Sequence, residues 1–291
     1  MPRFANTLWP ALLSVSALAA AESHTLVAPE WIEKNRRDPH LVLLDARPEA
    51  EYLEGHVPGA LVINAYDNLV DTTPQGERAF QAWLTETLGK AGLGPKDVIV
   101  VYDNKLGMRA ARAYWMLCYA GQPTVFLLEG GMEAWRRKNR PVETAAAAPR
   151  AATRYHLRPE KQYIATERQV AASLKDGRTI ILDVRTHAEY EGQGGVADCA
   201  RQGRIPGAVW IEWTEWLSPD GTTFAGFEKL GTLLIGKGIL PNKQIIVYCH
   251  RGARAAMVWA VLDDLGYPKV RNYIGSWHEW AGRPELPAEK Q

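Results

Sequence analysis

The segment Cys249-His250-Arg251-Gly252-Ala253-Arg254 follows the apolar run Ile245-Ile246-Val247-Tyr248 and precedes a long helical pattern. A thiol at the end of a buried strand, a glycine in a tight loop and two arginines have the composition of a thiolate site. Backbone N–H groups curling round the sulfur, the N-terminus of the following helix and the guanidinium charges would all favour the anion over the thiol. Cys249 is therefore the candidate nucleophile. On these residues alone its chemistry could be that of phosphate, redox or sulfur transfer.

The elements that must position this loop occur twice. Leu41-Val42-Leu43-Leu44-Asp45-Ala46-Arg47 recurs as Thr179-Ile180-Ile181-Leu182-Asp183-Val184-Arg185, an apolar run ending in Asp-x-Arg, with Glu51-Tyr52 and Glu189-Tyr190 at equal spacing beyond it. Gly55-His56-Val57-Pro58-Gly59-Ala60 is matched by Gly203-Arg204-Ile205-Pro206-Gly207-Ala208, with about ten extra residues in the second copy, among them Cys199. Val98-Ile99-Val100-Val101-Tyr102 pairs with Gln244-Ile245-Ile246-Val247-Tyr248. Such self-similarity describes one domain duplicated. Short β-branched runs alternate with helical stretches in each copy, which predicts an α/β fold: two tandem domains, each a parallel sheet with helices on both faces. Thr166-Glu167-Arg168-Gln169 has the pattern of a capping box opening a helix that buries Val170 and Leu174.

These signals divide the chain into a leader at 1–21, a first domain at 25–141, a linker at 142–155 and a second domain at 156–288. The leader has Arg3, an apolar stretch over 8–20 and small residues fitting a cleavage site at Ala17-Leu18-Ala19 or Ala19-Ala20-Ala21, so a periplasmic or secreted protein is expected. The apolar run is short for a membrane span, and no membrane association is expected once the leader is removed. The linker begins just after Pro141 and carries Pro149 and the alanine run 145–148.

A chain of 291 residues with 46% hydrophobic and 23% charged residues has material for two ordinary cores. The formal charge of +1, with no long basic run, gives no surface for nucleic acid or anionic membrane. Small-molecule partners and a monomer are expected. Three cysteines are too few for a disulfide scaffold. Cys118, in an apolar helical stretch, is read as a buried hydrophobe, and Cys199, in a polar Gly-rich segment, as a more exposed thiol. Spacing leaves open whether Cys199 could bridge to Cys118 or oxidise with Cys249. The seven histidines show no metal-ligand spacing, so neither a metal nor a cofactor is expected.

In an open α/β sheet, ligands bind beyond the carboxyl ends of the strands. Cys249 stands at such an end, and its counterpart in the first copy is Asp103, in Asp103-Asn104-Lys105-Leu106-Gly107-Met108-Arg109, a loop one residue longer. A carboxylate cannot replace a thiolate as a sulfur acceptor. The first copy is expected to be inactive.

The two Asp-x-Arg strands, the two Pro-Gly-Ala turns, the loop at Cys249, Gly275-Ser276-Trp277 and the ending Glu279-Trp280 resemble the rhodanese family. Their order resembles its tandem-domain members, the thiosulfate and 3-mercaptopyruvate sulfurtransferases, over residues 26–287. An inactive first copy with Asp at the cysteine position, followed by an Ala-Arg-Ala-x-Trp helix such as Ala111-Arg112-Ala113-Tyr114-Trp115, is also that family's habit.

The resemblance implies an exported bacterial-type sulfurtransferase. It would move sulfane sulfur from a donor such as thiosulfate to cyanide or a thiol through a Cys249 persulfide, by double displacement. Arg251 and Arg254 would hold the dianionic donor, with His250, Gly252, Ala253 and Arg185 completing the binding set. Asp183 would support the loop and Trp277 would wall the pocket. The bland readings are a domain ion pair for Asp183 and Arg185, because Asp45 and Arg47 recur in the other copy, a core aromatic for Trp277, and a solvent-facing His250.

Two positions depart from the family. Glu189 stands where tandem enzymes place a substrate-binding arginine, and Arg204 stands where a histidine is common. The basic loop lacks the small residues of mercaptopyruvate enzymes, which favours thiosulfate. Mercaptopyruvate transfer remains the alternative, as does a persulfide carrier with little activity on free thiosulfate, which Glu189 keeps in play. A phosphatase on the same fold needs a longer loop than the four residues between Cys249 and Arg254.

Overall fold

The computed structural model describes residues 23–195 and 199–290; the expected leader, residues 1–21, lies outside the described residues. The first copy comprises β1 (Leu26–Val27), α1 (Pro29–Asn35), β2 (Leu41–Asp45), α2 (Glu49–Glu54), β3 (Leu61–Val62), α3 (Pro74–Lys90), β4 (Val98–Tyr102), α4 (Met108–Tyr119), β5 (Thr124–Leu128) and α5 (Gly131–Arg137). The second comprises α6 (Glu167–Ser173), β6 (Thr179–Asp183), α7 (His187–Glu191), β7 (Val209–Trp210), α8 (Phe227–Gly236), β8 (Gln244–Tyr248), α9 (Ala253–Asp264), β9 (Val270–Asn272) and α10 (Ser276–Ala281). The expected capping box is present: Thr166 accepts from the Gln169 N–H, and the Gln169 side chain accepts from the Thr166 N–H.

Each copy forms a parallel sheet, ordered β1-β5-β4-β2-β3 in the first and β7-β6-β8-β9 in the second. An isolated parallel bridge from Ile164 to Asn272 stands beside β9 where β1 stands beside β5. The register sets Asp45 level with Tyr102 and Asp183 level with Tyr248. Each Asp-x-Arg strand therefore ends beside the strand that carries the loop. Because both faces are covered by helices, these strands are near-continuous apolar runs.

The copies share one core. Buried residues of both, including Leu44, Trp115 and Tyr114 from the first and Val247, Trp259 and Leu262 from the second, belong to a single apolar cluster, with smaller clusters on the outer face of each sheet. Helices α4 and α9 pack against each other at its centre, almost every residue buried. Tyr114 meets Trp259 at 6.2 Å, and Tyr163 meets it edge-on at 4.9 Å. Each large side chain buried this way stabilises the joint by roughly 1.5–3 kcal/mol. The copies are thus one body.

The connecting segment is bonded along the first copy, as its alanine and proline content alone did not suggest. His56 and Glu143 exchange backbone hydrogen bonds, the Ala147 N–H donates to the Tyr52 hydroxyl at 2.9 Å, Arg150 pairs with Asp97 at 3.0 Å, and Tyr155 is buried. Satisfied backbone groups hold it there. Among the described residues, no helix is long and apolar enough to cross a membrane.

Candidate active site

The loop at Cys249 hangs on a polar frame at the strand ends. The Asp183 carboxylate accepts from the Arg185 guanidinium at 2.6 Å, from the Arg185 N–H at 3.0 Å and from the Tyr248 hydroxyl at 2.5 Å. Arg185 Nη2 also donates to the Gly203 carbonyl at 2.8 Å, and the Ile205 N–H donates to the Tyr248 hydroxyl at 3.2 Å. Burial and the Asp183 charge push the Tyr248 phenol well above its usual range, so it stays a donor. The frame ties β6, β8 and the Pro-Gly turn together. The first copy repeats it: Asp45 takes Arg47 at 2.6 Å, Arg47 reaches the Gly55 carbonyl at 2.8 Å, and the Val57 N–H reaches the Tyr102 hydroxyl at 3.1 Å. Such a frame fixes geometry whatever residue ends the strand. Arg185 is 2% exposed and does not line the cavity above the sulfur.

Cys249 is held by its own backbone. Its N–H donates to Ser276 Oγ at 3.1 Å, and its carbonyl accepts from the Trp277 N–H at 3.0 Å, as that of His250 does from His278. The Gly252 N–H donates to Cys249 Sγ at 3.1 Å. Gly252 has φ 81°, and a Cβ there would stand 2.7 Å from the Ile274 carbonyl oxygen, so only glycine fits this turn. Gly252 is also the N-cap of α9, whose first turn faces the sulfur. Ser276, with φ 55° and no exposure, donates to the Tyr273 carbonyl at 2.7 Å while it accepts from Cys249. Its supporting role went unread in the sequence, where Gly275-Ser276-Trp277 entered only as a mark of the family resemblance.

Cys249, His250, Arg251, Ala253 and Arg254 line one cavity of about 740 Å³. The opposite wall comes from the first copy: Tyr66, Asp67, Leu69, Met108 and Arg112. Gly252 shapes the loop beneath it. Asp183 and Trp277 lie outside this lining; Trp277 is buried in the second copy's outer cluster, 4.8 Å from the Arg185 guanidinium. The core reading of Trp277 holds.

Arg254 is bound to Glu189 through two bonds of 2.6 and 2.8 Å. The same carboxylate accepts from the Thr186 N–H and hydroxyl, closing a capping box on α7. Burial opposes its charge, but Arg254 and Thr186 hold the Glu189 carboxyl down at about 2. Arg204 is engaged elsewhere, near Glu289 at 3.5 Å and Glu191 at 3.9 Å and over the Tyr190 ring, and does not line the cavity.

His250 departs from the solvent-facing expectation: it is 7% exposed. Its Nδ1 lies 3.5 Å from Cys199 Sγ, and its ring meets His278 edge-on at 5.8 Å. Cys199 stands against it. Burial lowers it to about 4, so it is neutral at pH 7. Cys118 is buried in α4, as read.

In the first copy the Asp103 side chain fills its own loop. Asp103 Oδ1 accepts from the Gly107 N–H at 3.0 Å and Oδ2 from the Ala110 N–H at 3.1 Å. Burial raises its carboxyl to about 6 against these donors. The second copy covers the loop: Leu106 N–H donates to the Gly221 carbonyl at 3.1 Å and Gly130 N–H to the Thr222 carbonyl at 2.7 Å.

Comparison with known proteins agrees with the duplicated fold. The rhodanese-like domain model matches residues 28–138 and again 166–283. The chain is 32% identical over 269 residues to a thiosulfate sulfurtransferase of Azotobacter vinelandii, covering 91% of this chain and 96% of that one. It is 31% identical over 281 residues to the sulfur carrier protein TtuD of Thermus thermophilus, covering 93% and 98%. Among solved structures, the anaerobic ergothioneine biosynthesis enzyme from Chlorobium limicola superposes with a TM-score of 0.82 at 23% identity, covering 92% of this chain and 70% of that one, a likeness of fold.

Proposed function

Because the chain belongs to the rhodanese family, as a sulfurtransferase-type protein with two copies of the domain, we propose that it transfers sulfane sulfur from thiosulfate to cyanide or a thiol through a persulfide on Cys249. The supporting observation is the Cys249 sulfur at the head of α9, accepting the Gly252 N–H on the floor of a cavity that Arg251 also lines. The thiolate attacks the outer sulfur of thiosulfate. The sulfur–sulfur bond of the donor breaks, sulfite leaves with the electron pair, and the new bond makes Cys249 a persulfide. Cyanide or a thiolate then attacks the terminal sulfur and Cys249 leaves as thiolate, which completes a double displacement. Arg251 and the loop N–H groups offset the charge of the donor and of departing sulfite. Asp183 and Arg185 keep the strand ends in place.

One observation favours a second reading. Arg254 is already committed to Glu189, which lowers the positive charge available to a small dianion. A persulfide carrier that takes sulfur from a partner needs less of that charge. The donor assay separates the readings, including the mercaptopyruvate alternative. Thiocyanate formation is measured with thiosulfate and with 3-mercaptopyruvate, each with wild-type protein and Cys249→Ser. A higher kcat/KM with thiosulfate that vanishes in Cys249→Ser supports the proposal. A preference for mercaptopyruvate overturns the donor, turnover retained in Cys249→Ser overturns the nucleophile, and no turnover with either donor favours the carrier. We propose further that residues 1–21 direct export and that the mature protein is a periplasmic or secreted monomer. Amino-terminal sequencing of the fractionated protein and its sedimentation test both statements.

A further inference from the structure

A guanidinium on the cavity wall opposite Cys249 belongs to the first copy. Arg112, in α4, is 1% exposed and lines the cavity with Cys249. Its Nε donates to the Ala65 carbonyl at 3.0 Å, and its two terminal nitrogens donate to the carbonyls of Asn68 and Arg251. Arg251 lies two residues beyond Cys249, so Arg112 grips the catalytic loop from across the joint. Its acceptors are neutral carbonyls, and among the described residues it makes no salt bridge, although the Asp67 charge also acts on it. A buried cation so placed gains from an anion close by. Burial pulls it down to about 10, and the charge of the Cys249 sulfur acts against that fall.

The two copies make the placement informative. Helices α4 and α9 each begin after a glycine N-cap, with an arginine at the second position, Arg109 and Arg254. At the fifth position α4 has Arg112 and α9 has Met257, which is fully buried and neutral. The cation is present only in the helix that faces the thiol-bearing loop. Where a carboxylate follows the strand, the partner helix carries a thioether.

We infer that Arg112 is a positioning residue for sulfur transfer: it fixes the Arg251 carbonyl, and with it the loop around Cys249, and sets a positive charge beside the sulfur that becomes anionic. The inference rests on the reading of Cys249 as the sulfur-carrying residue. It makes the first copy part of the reaction although that copy has Asp103, not a thiol, at the loop position.

The test uses the mature protein with Arg112→Gln, which removes the charge, and Arg112→Lys, which keeps the charge without the planar fork. Each is measured for thiocyanate formation from thiosulfate and for alkylation of Cys249 by iodoacetamide at neutral pH, with near-UV circular dichroism as the measure of folding. In Arg112→Gln, kcat is expected to fall on the order of 10²-fold, the scale seen on losing one fixed donor, with thiosulfate KM changed by no more than about twofold and alkylation slowed. Arg112→Lys is expected to recover about tenfold of the lost kcat and most of the alkylation rate. A folded Arg112→Gln protein with wild-type kcat and alkylation rate overturns the inference, as does a folded Arg112→Lys protein no better than Arg112→Gln. If Arg112→Gln does not fold, Arg112→Lys decides: slower turnover with near-wild-type alkylation supports the role, and wild-type turnover overturns it. If neither folds, wild-type protein in rising salt decides, because a buried charge is little screened: alkylation that holds its rate supports the role, and alkylation that collapses places the responsible charge in solvent and overturns it. Alkylation needs no sulfur donor, so wild-type protein that is alkylated yet does not turn over refutes the thiosulfate reading and leaves the Arg112 inference to be judged on alkylation.

Discussion

Both copies end a central strand on a tyrosine framed by an Asp-x-Arg pair, with matched bonds of 2.6 Å to the carboxylate and 2.8 Å to a glycine carbonyl. They differ in the loop beyond the tyrosine. In the first copy the Asp103 carboxylate turns back and accepts two N–H groups of its own loop, so the anion cradle is filled from within. In the second, the Cys249 sulfur accepts the Gly252 N–H and an open cavity lies above it. The covers differ as well. Over Asp103 the second copy lays the carbonyls of Gly221 and Thr222; over Cys249 the first copy lays Tyr66, Leu69 and the guanidinium of Arg112. The frame is common to both copies, and the copies differ in the contents of the loop and in the wall opposite it.

Placing a thiol in the first copy is the severest challenge to that difference. Asp103→Cys combined with Cys249→Ser is expected to show no thiocyanate formation, because the first loop is one residue longer and is covered by the second copy. Any turnover in this double variant would show that residue type alone decides activity. Next in size is the frame. Asp45→Ala and Asp183→Ala each strand a buried guanidinium, and each is expected to lower stability by about 3–5 kcal/mol, read from urea midpoints. A loss confined to Asp183→Ala would show that the frames are not equivalent.

Smaller effects fall on Glu189. Glu189→Gln releases Arg254 and is expected to raise kcat/KM for thiosulfate by a few-fold, on the order of one hydrogen-bonded charge partner. An unchanged or lower value would show that the pair serves the loop better than a loose arginine. The Glu189 carboxyl lies at about 2 in the folded protein, below the ordinary value of 4.5. Its contribution to stability is therefore full above pH 4.5 and lost as pH falls toward 2, and Glu189→Gln removes that part of the acid profile.

The smallest change in activity is expected at Asp103. Asp103→Ala should leave turnover within about threefold of wild type, and a collapse in a folded protein would show that the first loop takes part in chemistry. Its signature is in stability. The folded carboxyl is raised to about 6 from 3.8, so its favourable contribution is full below pH 3.8 and is lost as pH rises through 6. Asp103→Asn is expected to flatten this decline, measured by urea midpoints at pH 4 and pH 8.

Much of the site was legible in local sequence because its parts are local. Cys249, Gly252, Ala253 and Arg254 are placed by six consecutive residues after an apolar strand, and such a loop can close only one way around a glycine with φ 81°. The repeat disclosed the frame and put a domain ion pair beside the site reading of Asp183 and Arg185. His250 was misjudged because its cover comes from Cys199 and His278, each distant in sequence. Glu189 was noticed as an oddity, yet its bond to Arg254 spans 65 positions and no spacing rule reaches that far. Ser276 and Arg112 were seen only as parts of familiar segments.

The sequence by itself determined the duplicated α/β fold, the thiol beyond one strand end and the carboxylate at the matching place in the first copy, because periodicity, turn chemistry and residue type are properties of neighbours along the chain. Only the tertiary structure decided where charge lies around that thiol. Glu189 withdraws Arg254 and Arg112 arrives from the other copy, through the packing of α4 on α9. Electrostatic interaction depends on distance through space and on exclusion of water, and both are set only when the two halves close on one core.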